Sequence, residues 1–268
     1  MTTEKRFAFG QNWKNFLETL SEERIQEAEK SLKKSLNKTD LKGLSFLDVG
    51  CGSGLFSLAA HRLGAKVISF DYDQKSVDCA EFLKDKFKIT KDWEIFQGSV
   101  LDDKLIKSLG THDIVYSWGV LHHTGHMYKA FENVVGFVKK EGTLFISIYN
   151  DQGLESKIWT KLKKTYAHSG KIIKGIIIGY TAVRCWTLSL ILDFIRHGNP
   201  FRSFQNYKKS RGMSAYYDII DWAGGYPFEV AKPEEVFDFF HERKFNLTFL
   251  KTCQGGLGCN EFVFIKNS

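Results

Sequence analysis

The sequence is poor in proline and contains no closely spaced pair of cysteines. Three prolines among 268 residues argue against long, proline-rich disordered linkers. The five cysteines are Cys51, Cys79, Cys185, Cys253 and Cys259, and no two of them form a CxxC pair. We therefore expect neither a disulfide framework nor a bound metal. The opening residues MTTEKRFAFGQNW lack the apolar run of a secretory signal, which together with the cysteine pattern predicts a cytoplasmic location.

Positive charge is concentrated in one segment of the chain. Residues 151–211 hold twelve Lys or Arg against three Asp or Glu, so this segment contributes +9 to the net charge of +7 and the remainder contributes −2. Such a segment could follow the phosphates of RNA, contact a membrane surface through residues 157–211, or hold an anionic small molecule. The sequence shows no appended RNA-binding module, so we do not expect a nucleic-acid partner. The oligomeric state stays open.

Strand-like and helix-like patterns alternate over the first half of the chain. Short apolar runs such as LSFLDVG and KVISFD are followed by amphipathic stretches, a pattern that indicates βαβ units and a parallel sheet. The alternation stops after Asn150 and resumes near Pro233 with a helix and two strands joined by GGLG. We therefore predict an N-terminal helical cap at 1–40, a core made of 41–150 and 230–268, and a helical insertion at 151–229 that covers the acceptor as a lid.

A glycine-rich loop lies between the first strand and the following helix. Its glycines, Gly50, Gly52 and Gly54, have the spacing GxGxG. Glycines permit positive φ and a close approach of a ligand to the backbone, and amides at the start of a helix point at a bound group. The dinucleotide fingerprint GxGxxG would instead need a glycine at Leu55. The loop therefore predicts a nucleotide-type pocket at the carboxyl ends of the strands.

Two acidic residues narrow the type of ligand. Asp48 precedes the loop and would repel a pyrophosphate, whereas a cationic amine or sulfonium would suit it. Asp71 ends the next strand, where a carboxylate can accept hydrogen bonds from both hydroxyls of a ribose. An NAD ribose would suit Asp71 equally well, so Asp48 and the glycine spacing decide against a dinucleotide.

The motif DVGCGSG followed by DYD resembles motif I and the acidic strand end of class I S-adenosylmethionine-dependent methyltransferases. The resemblance implies an α/β fold with a doubly wound, mostly parallel seven-stranded sheet of order 3-2-1-4-5-7-6, and S-adenosylmethionine as the cofactor. The stretches RFAFGQNW, SWGVLHHTGHM, RGMSAYYDIIDWAGGYPFEV and GGLGCNEFVF are similar to a bacterial subgroup of stand-alone enzymes that O-methylate small molecules or glycans.

The resemblance also implies a set of residues that bind the cofactor. The glycines form a wall against methionine and ribose, Asp48 orders the amino-acid end through water, Asp71 holds the ribose diol, and Tyr72 stacks near adenine. Where many members carry an Asp that contacts the adenine amino group, this chain has Ser99. Phe9, Gly10 and Trp13 are expected to cover the cofactor. The full expected set is Trp13, Asp48, Gly50, Gly52, Gly54, Asp71, Tyr72, Ser99, Val100 and Ser117.

The motif WGVLHH supplies the candidate catalytic residues. Methyl transfer to a hydroxyl depends on positioning and desolvation, and a general base assists it. If the fourth strand continues, His122 and His123 point to opposite sides, and we favour His123 as the base. Alternatively, one histidine caps the next helix and the other is buried in the core. A metal site that includes His126 is disfavoured because adjacent ligands on a strand diverge.

The stretch MSAYYDIIDWAGGYPFE is the candidate acceptor-binding segment, although a structural loop packed by its aromatic residues would show the same composition. Its candidate contacts are Asp218, Asp221, Trp222, Tyr226 and Glu229. The predicted function is transfer of a methyl group from S-adenosylmethionine to an oxygen of a small-molecule or glycan-precursor acceptor that carries an anionic group. The alternative is an RNA methyltransferase whose basic insertion holds phosphates. A non-catalytic binding module would not need the intact glycine loop.

Residues 171–195 form an apolar run of 25, and a transmembrane helix needs about 20 such residues. Arg184 lies in its middle, where a charge opposes insertion into a bilayer. The run also interrupts a sheet whose last strands must return to the same core. We therefore predict one or two helices of the lid in place of a membrane span.

Overall fold

The structure is a computed structural model that describes residues 20–202 and 215–268, together with Gly10, Trp13 and Leu17. It does not describe the side chains of Leu188, Ser189, Asp221 or residues 215–218. The strands are β1 (Ser45–Val49), β2 (Lys66–Asp71), β3 (Trp93–Gln97), β4 (His112–Trp118), β5 (Val138–Tyr149), β6 (Phe245–Lys251) and β7 (Cys259–Lys266).

The strands form one sheet of order β3-β2-β1-β4-β5-β7-β6. β1 to β5 pair in parallel with one another, whereas β7 is antiparallel to both β5 and β6. The predicted topology is therefore confirmed. The strand order reverses between β1 and β4, so their carboxyl ends open the crevice in which ligands of such sheets bind.

Helices cover both faces of the sheet. α1 (Glu22–Leu36), α2 (Leu55–Arg62) and α3 (Gln74–Lys86) enclose one apolar cluster. α4 (Asp103–Leu109), α5 (Met127–Phe137) and α9 (Pro233–His241) enclose the other. Strands buried on both sides are expected to be apolar along their whole length, and seven consecutive residues of β5, from Gly142 to Ile148, are buried in this way.

Several element boundaries follow directly from local chemistry. The Asp73 side chain accepts a hydrogen bond from Lys75 N at 3.0 Å, so it caps α3. The sequence also predicts that the fifth helix continues to Lys140, which is wrong. The helix ends at Phe137 because Val138 pairs with His112 in β4 and Lys139 Nζ donates to both oxygens of Asp113 at 2.9 Å.

Three helices lie between β5 and α9: α6 (Leu154–His168), α7 (Lys171–His197) and α8 (Ala215–Gly224). α6 and α8 meet where the rings of Trp159 and Trp222 lie 5.4 Å apart. α7 joins them through a small cluster of Ile177, Tyr166 and Ala223. The apolar run is thus one continuous helix. Its role as a lid stays a prediction.

Gly54 provides a test of the loop's packing. Its φ is +78°, and a Cβ built there would lie 2.8 Å from Ala80 Cβ and 2.9 Å from Ala80 Cα in α3. Both the conformation and the contact oppose a side chain, so we expect Gly54→Ala to lower the free energy of unfolding by about 2 kcal/mol. Chemical denaturation measures this. Gly153→Ala is the control, because its φ is also positive but no atom lies within 4 Å of the added Cβ.

Candidate cofactor and acceptor site

The glycine loop turns sharply at the carboxyl end of β1. Gly50, Gly52 and Gly54 have φ values of +81°, +54° and +78°, which side chains rarely adopt. Gly50 N and Cys51 N donate to Phe70 O at 2.8 and 3.1 Å, so the loop bends over the end of β2. Within the turn, Gly54 N donates to Cys51 O at 2.8 Å, so the turn is also held by its own backbone.

Asp71 is the acidic residue that faces this turn. Its Oδ2 accepts from Gly52 N and its Oδ1 from Asp73 N, both at 2.9 Å. Burial raises its pKa to about 6. Each carboxylate oxygen has two lone pairs, so after these two bonds the group can still accept hydrogen bonds from a diol.

Asp48 lies beneath the loop and is only 2% exposed. Ser57 Oγ donates to its Oδ2, Ser57 and Ser69 hydroxyls lie 2.7 Å apart, and Trp93 Nε1 donates to Ser69 at 2.9 Å. Burial raises the Asp48 pKa to about 7, and the nearby Asp71 charge adds to the rise. The carboxylate therefore connects β1 to α2, β2 and β3 through this polar chain. Its predicted role at the amino-acid end of the cofactor stays a prediction.

The described part of the N-terminal segment lies over the same loop. Gly10 N donates to Asp73 Oδ2 at 2.9 Å. The indole of Trp13 lies 3.0 Å from the position that a Cβ on Gly52 would take. That Gly10 and Trp13 cover the cofactor stays a prediction, and Phe9 lies outside the described residues.

The predicted adenine side contains one exposed aromatic residue. Tyr72 is 57% exposed, and its carbonyl accepts from Gln97 Nε2 at 3.0 Å. The Ser99 hydroxyl accepts from Leu101 N at 3.2 Å and so shapes the turn after β3. Stacking of Tyr72 near adenine stays a prediction.

Val100 and Ser117 were predicted to bind the cofactor, but the structure buries both side chains. Val100 is 6% exposed and belongs to the core. Ser117 is fully buried, and its hydroxyl donates to Val49 O at 2.9 Å. Ser117 lies in β4 and points to a face of the sheet that is covered, whereas Val100 lies in the turn after β3 and packs into the core. A contact with a ligand would have to use their backbone.

The two candidate histidines lie on the same side of the site, contrary to the prediction. β4 ends at Trp118, the chain turns at Gly119 with a φ of +77°, and Leu121–His123 form a 3₁₀ turn. The rings of His122 and His123 lie 4.0 and 5.4 Å from the ring of Tyr149 at the end of β5. The strand does not continue, so the expected divergence of the two rings is lost.

The two histidines differ in exposure and hydrogen bonding. His122 is fully buried, and burial lowers its pKa well below the usual range. His123 is half-buried. Its Nδ1 lies 2.6 Å from Pro227 O and must donate because a carbonyl only accepts, so Nε2 carries the lone pair. Burial lowers the His123 pKa to about 4. His123 is therefore a neutral, oriented imidazole, as a general base requires.

Lys163 is a site residue that the sequence reasoning missed. It projects from α6 and is fully buried. Its Nζ donates to Trp222 O and lies 4.1 Å from the ring centroid of Trp222 and 4.7 Å from that of Phe228. Its charge also contributes to the low pKa of both histidines. The signal was the spacing of Trp159, Lys163 and Tyr166, which places the lysine on the apolar face of the helix.

The predicted acceptor residues do not all reach this cluster. Trp222 does, since its ring lies 5.5 Å from that of Tyr149, and its buried Nε1 has no hydrogen-bond partner among the described residues. Tyr226 is 8% exposed and packs on His168 at 5.9 Å. The side chains of Asp218 and Asp221 lie outside the described set.

Glu229 forms hydrogen bonds to the elements around the histidines. Its Oε1 accepts from Met127 N at 3.1 Å at the start of α5, and its own N donates to His122 O at 2.9 Å. Burial raises its pKa. Glu229 therefore holds α5 and the 3₁₀ turn together. Its predicted contact with the acceptor stays a prediction. Among the residues that the structure describes, no group of His, Cys, Asp and Glu could hold a metal ion.

Comparison with known proteins places this chain in a family. A family profile described as "Methyltransferase domain" matches residues 40–211. The ubiquinone biosynthesis O-methyltransferase of Pelagibacter ubique is 29% identical over 139 residues, which are 52% of this chain and 53% of the relative. That of Xanthomonas campestris pv. campestris is 31% identical over 110 residues, 41% of this chain and 45% of the relative. The chain thus spans about half the length of the curated relatives that it matches.

The chain belongs to the class I S-adenosylmethionine-dependent methyltransferases. Solved structures share its fold. The magnesium protoporphyrin IX methyltransferase of Synechocystis PCC 6803 with bound S-adenosylhomocysteine has a TM-score of 0.54 at 13% identity, covering 91% of this chain and 83% of that chain. The 1,6-didemethyltoxoflavin-N1-methyltransferase of Burkholderia thailandensis has a TM-score of 0.50 at 12% identity, covering 91% and 79%. The cofactor of the family is S-adenosylmethionine.

The loop of this methyltransferase fits that cofactor. A Cβ at Gly50 would lie 2.4 Å from Val120 Cγ1, and one at Gly52 would meet the Trp13 indole, so side chains at these positions would fill the cradle. Asp71 is held in place by two backbone amides and keeps acceptor capacity for a ribose diol. Gly50, Gly52, Asp71 and Tyr72 are therefore the residues that would hold the cofactor.

Cofactor binding should depend on the ionisation of Asp71. We expect Asp71→Asn to weaken S-adenosylmethionine binding by about 2 kcal/mol, since a charge-assisted pair of hydrogen bonds is lost. The pKa of Asp71 is raised to about 6, so the wild-type carboxylate becomes protonated as the pH falls through that value and affinity should fall with it. The Asn variant cannot titrate and should show a flatter pH dependence. Calorimetry across this range that finds equal affinities for the two proteins would contradict the ribose assignment.

The two histidines should respond differently to substitution. We expect His123→Gln to lower turnover by roughly 10²-fold while leaving cofactor affinity unchanged, because a positioned general base contributes about this much. His122→Phe should mainly affect thermal stability. Since the His123 pKa is lowered to about 4, its own titration should not reduce the wild-type rate at higher pH. Full activity of His123→Gln at saturating acceptor would show that His123 is not the base.

Proposed function

We propose that this protein transfers a methyl group from S-adenosylmethionine to an oxygen of a small molecule that carries an anionic group. The observation that carries the proposal is one cluster that contains an oriented His123 and the buried Lys163. The His123 ring lies 5.4 Å from that of Tyr149, the Tyr149 ring lies 5.5 Å from that of Trp222, and Lys163 Nζ donates to Trp222 O. The imidazole of His123 can take up a proton, and the ammonium of Lys163 can hold a negatively charged group. The names of the curated relatives, ubiquinone biosynthesis O-methyltransferase, support an oxygen acceptor.

The chemistry of the chain's own residues fits this reaction. S-adenosylmethionine supplies an activated methyl group, which the acceptor oxygen attacks. His123 Nε2 would receive the hydroxyl proton as the oxygen loses electron density. A base with a pKa of about 4 is weak towards a neutral hydroxyl but sufficient towards an oxygen that becomes positively charged. Because Pro227 O fixes the tautomer, the lone pair is oriented before the acceptor arrives.

The aromatic residues around Lys163 describe the acceptor further. The rings of Tyr149, Trp222 and Phe228 lie within 6.0 Å of one another, centroid to centroid. Such walls suit a planar or apolar body, and a cation between them suits a carboxylate or phosphate at its edge. A small molecule with an apolar body and one anionic group therefore fits the cluster. A glycan precursor fits only through its phosphate.

An RNA acceptor is supported less well. The long helix α7 of the basic insertion exposes apolar residues such as Ile172 and Val183. A phosphate-tracking surface would instead expose cations along its length. To compare the acceptors, the protein is incubated with S-adenosylmethionine labelled on the methyl group and with either bulk RNA or a mixture of hydroxylated aromatic and aliphatic acids. We expect label only in the acids, at oxygen by mass spectrometry. Label confined to RNA would contradict the proposal.

Lys163 allows a sharper test with a matched control. We expect Lys163→Met to raise the acceptor KM by about tenfold or more, because an ionic hydrogen bond is lost, with the affinity for S-adenosylmethionine unchanged. The neighbouring Lys164 is exposed, so Lys164→Met should behave as the wild type. If both variants show the wild-type KM, Lys163 does not hold the acceptor. Equal melting temperatures of the variants exclude a folding effect.

A further inference from the structure

Helix α7 exposes a continuous apolar stripe. Ile172, Ile176, Tyr180, Val183, Ile191 and Phe194 follow one another at spacings close to multiples of a helical turn, and each is between 47% and 82% exposed. Residues at such spacings lie on one face of a helix. The helix has 27 residues, so the stripe extends along a rod about 40 Å long. Exposed apolar surface of this extent marks an interaction site in most proteins.

The opposite face of α7 is held by the protein. Thr181 is fully buried and Ile177 is 5% exposed, and Ile177 packs with Tyr166 of α6 and Ala223 of α8. At the side of the helix, Arg184 forms an ion pair of 2.7 Å with Glu155. These contacts fix the rotation of α7, so the apolar stripe cannot turn towards the core. The stripe therefore faces outward.

We propose that this stripe is the docking surface for a lipid bilayer that contains anionic lipids, with α7 lying in the plane of the interface. The choice of partner rests on charge. The segment 151–211 has an excess of nine positive charges, and Lys171 and Arg196 at the two ends of α7 are exposed. Apolar residues on one face combined with Lys and Arg around them are typical of helices bound at the surface of anionic membranes.

Two other occupants fit less well. The described helix α7 is long and apolar enough to cross a membrane, with a mean hydropathy of 1.6 over its most apolar stretch. A crossing would, however, pull Ile177 and Thr181 out of the protein and separate the two halves of one sheet, since β5 precedes the insertion and α9 follows it. A second copy of the chain would place two segments of +9 against each other, which like-charge repulsion opposes.

The test is sedimentation with vesicles. The full chain is mixed with large unilamellar vesicles of phosphatidylcholine alone or of phosphatidylcholine with phosphatidylglycerol. We expect binding to the anionic vesicles, weakened by salt because the ionic component is screened. The triple variant Ile172→Ser, Ile176→Ser, Val183→Ser should bind at least about tenfold more weakly, since apolar burial contributes much of the affinity.

The matched control is Phe82→Ser with Leu250→Ser, which removes exposed apolar side chains elsewhere and should bind vesicles as the wild type does. Circular dichroism checks that all variants are folded. Binding that is unchanged in the triple variant overturns the proposal, as does wild-type protein that ignores anionic vesicles. Resistance to a carbonate wash would indicate a span instead. A dimer in analytical ultracentrifugation that the triple variant abolishes would assign the stripe to a second copy. None of these outcomes depends on methyl transfer.

Discussion

The carboxylate of Asp71 holds the turn after β1 against the end of β2, and the site depends on this interaction. By accepting from the amides of Gly52 and Asp73, it fixes a backbone with positive φ at Gly50, Gly52 and Gly54. Such a turn would otherwise sample many conformations. The Val120 side chain packs against Gly50, and Val120 begins the turn that carries His122 and His123. The Asp71 carboxylate therefore influences the placement of the histidines through the glycine loop.

Residues whose role is encoded locally could be predicted from the sequence. A strand, three glycines and a strand-terminal acid lie within 27 residues (45 to 71). They carry the resemblance to the methyltransferase family, and the strand order follows from the architecture of that family. The turn that carries His122 and His123 could not be predicted in the same way. It depends on the positive φ of Gly119, at which the chain leaves β4, and the sequence alone does not show that this glycine adopts that conformation. Lys163 is one of twelve basic residues in its segment, and only the packing of α6 on α8 distinguishes it. Ser117 was predicted to bind the cofactor, but its side chain is buried within the sheet and donates to Val49 O.

The insertion carries two surfaces of opposite character. Its inner side brings Lys163 and Trp222 to the histidines, and its outer side is the apolar stripe of α7. Both are set by the same rotation of the helices, which Ile177, Tyr166 and Ala223 fix. A change in the packing of this small cluster would therefore move Lys163, Trp222 and the outer face together.

The position of β7 has a consequence for synthesis of the chain. β7 is the last strand in the sequence, yet it lies between β5 and β6. The preceding strand β6 joins the sheet only through β7, and the antiparallel β5–β7 pair spans more than one hundred residues of sequence. During translation, β6 therefore leaves the ribosome before its partner strand exists. Pairings of such long range are slow and leave apolar edges open to aggregation, so nascent chains of this topology are natural clients of chaperones.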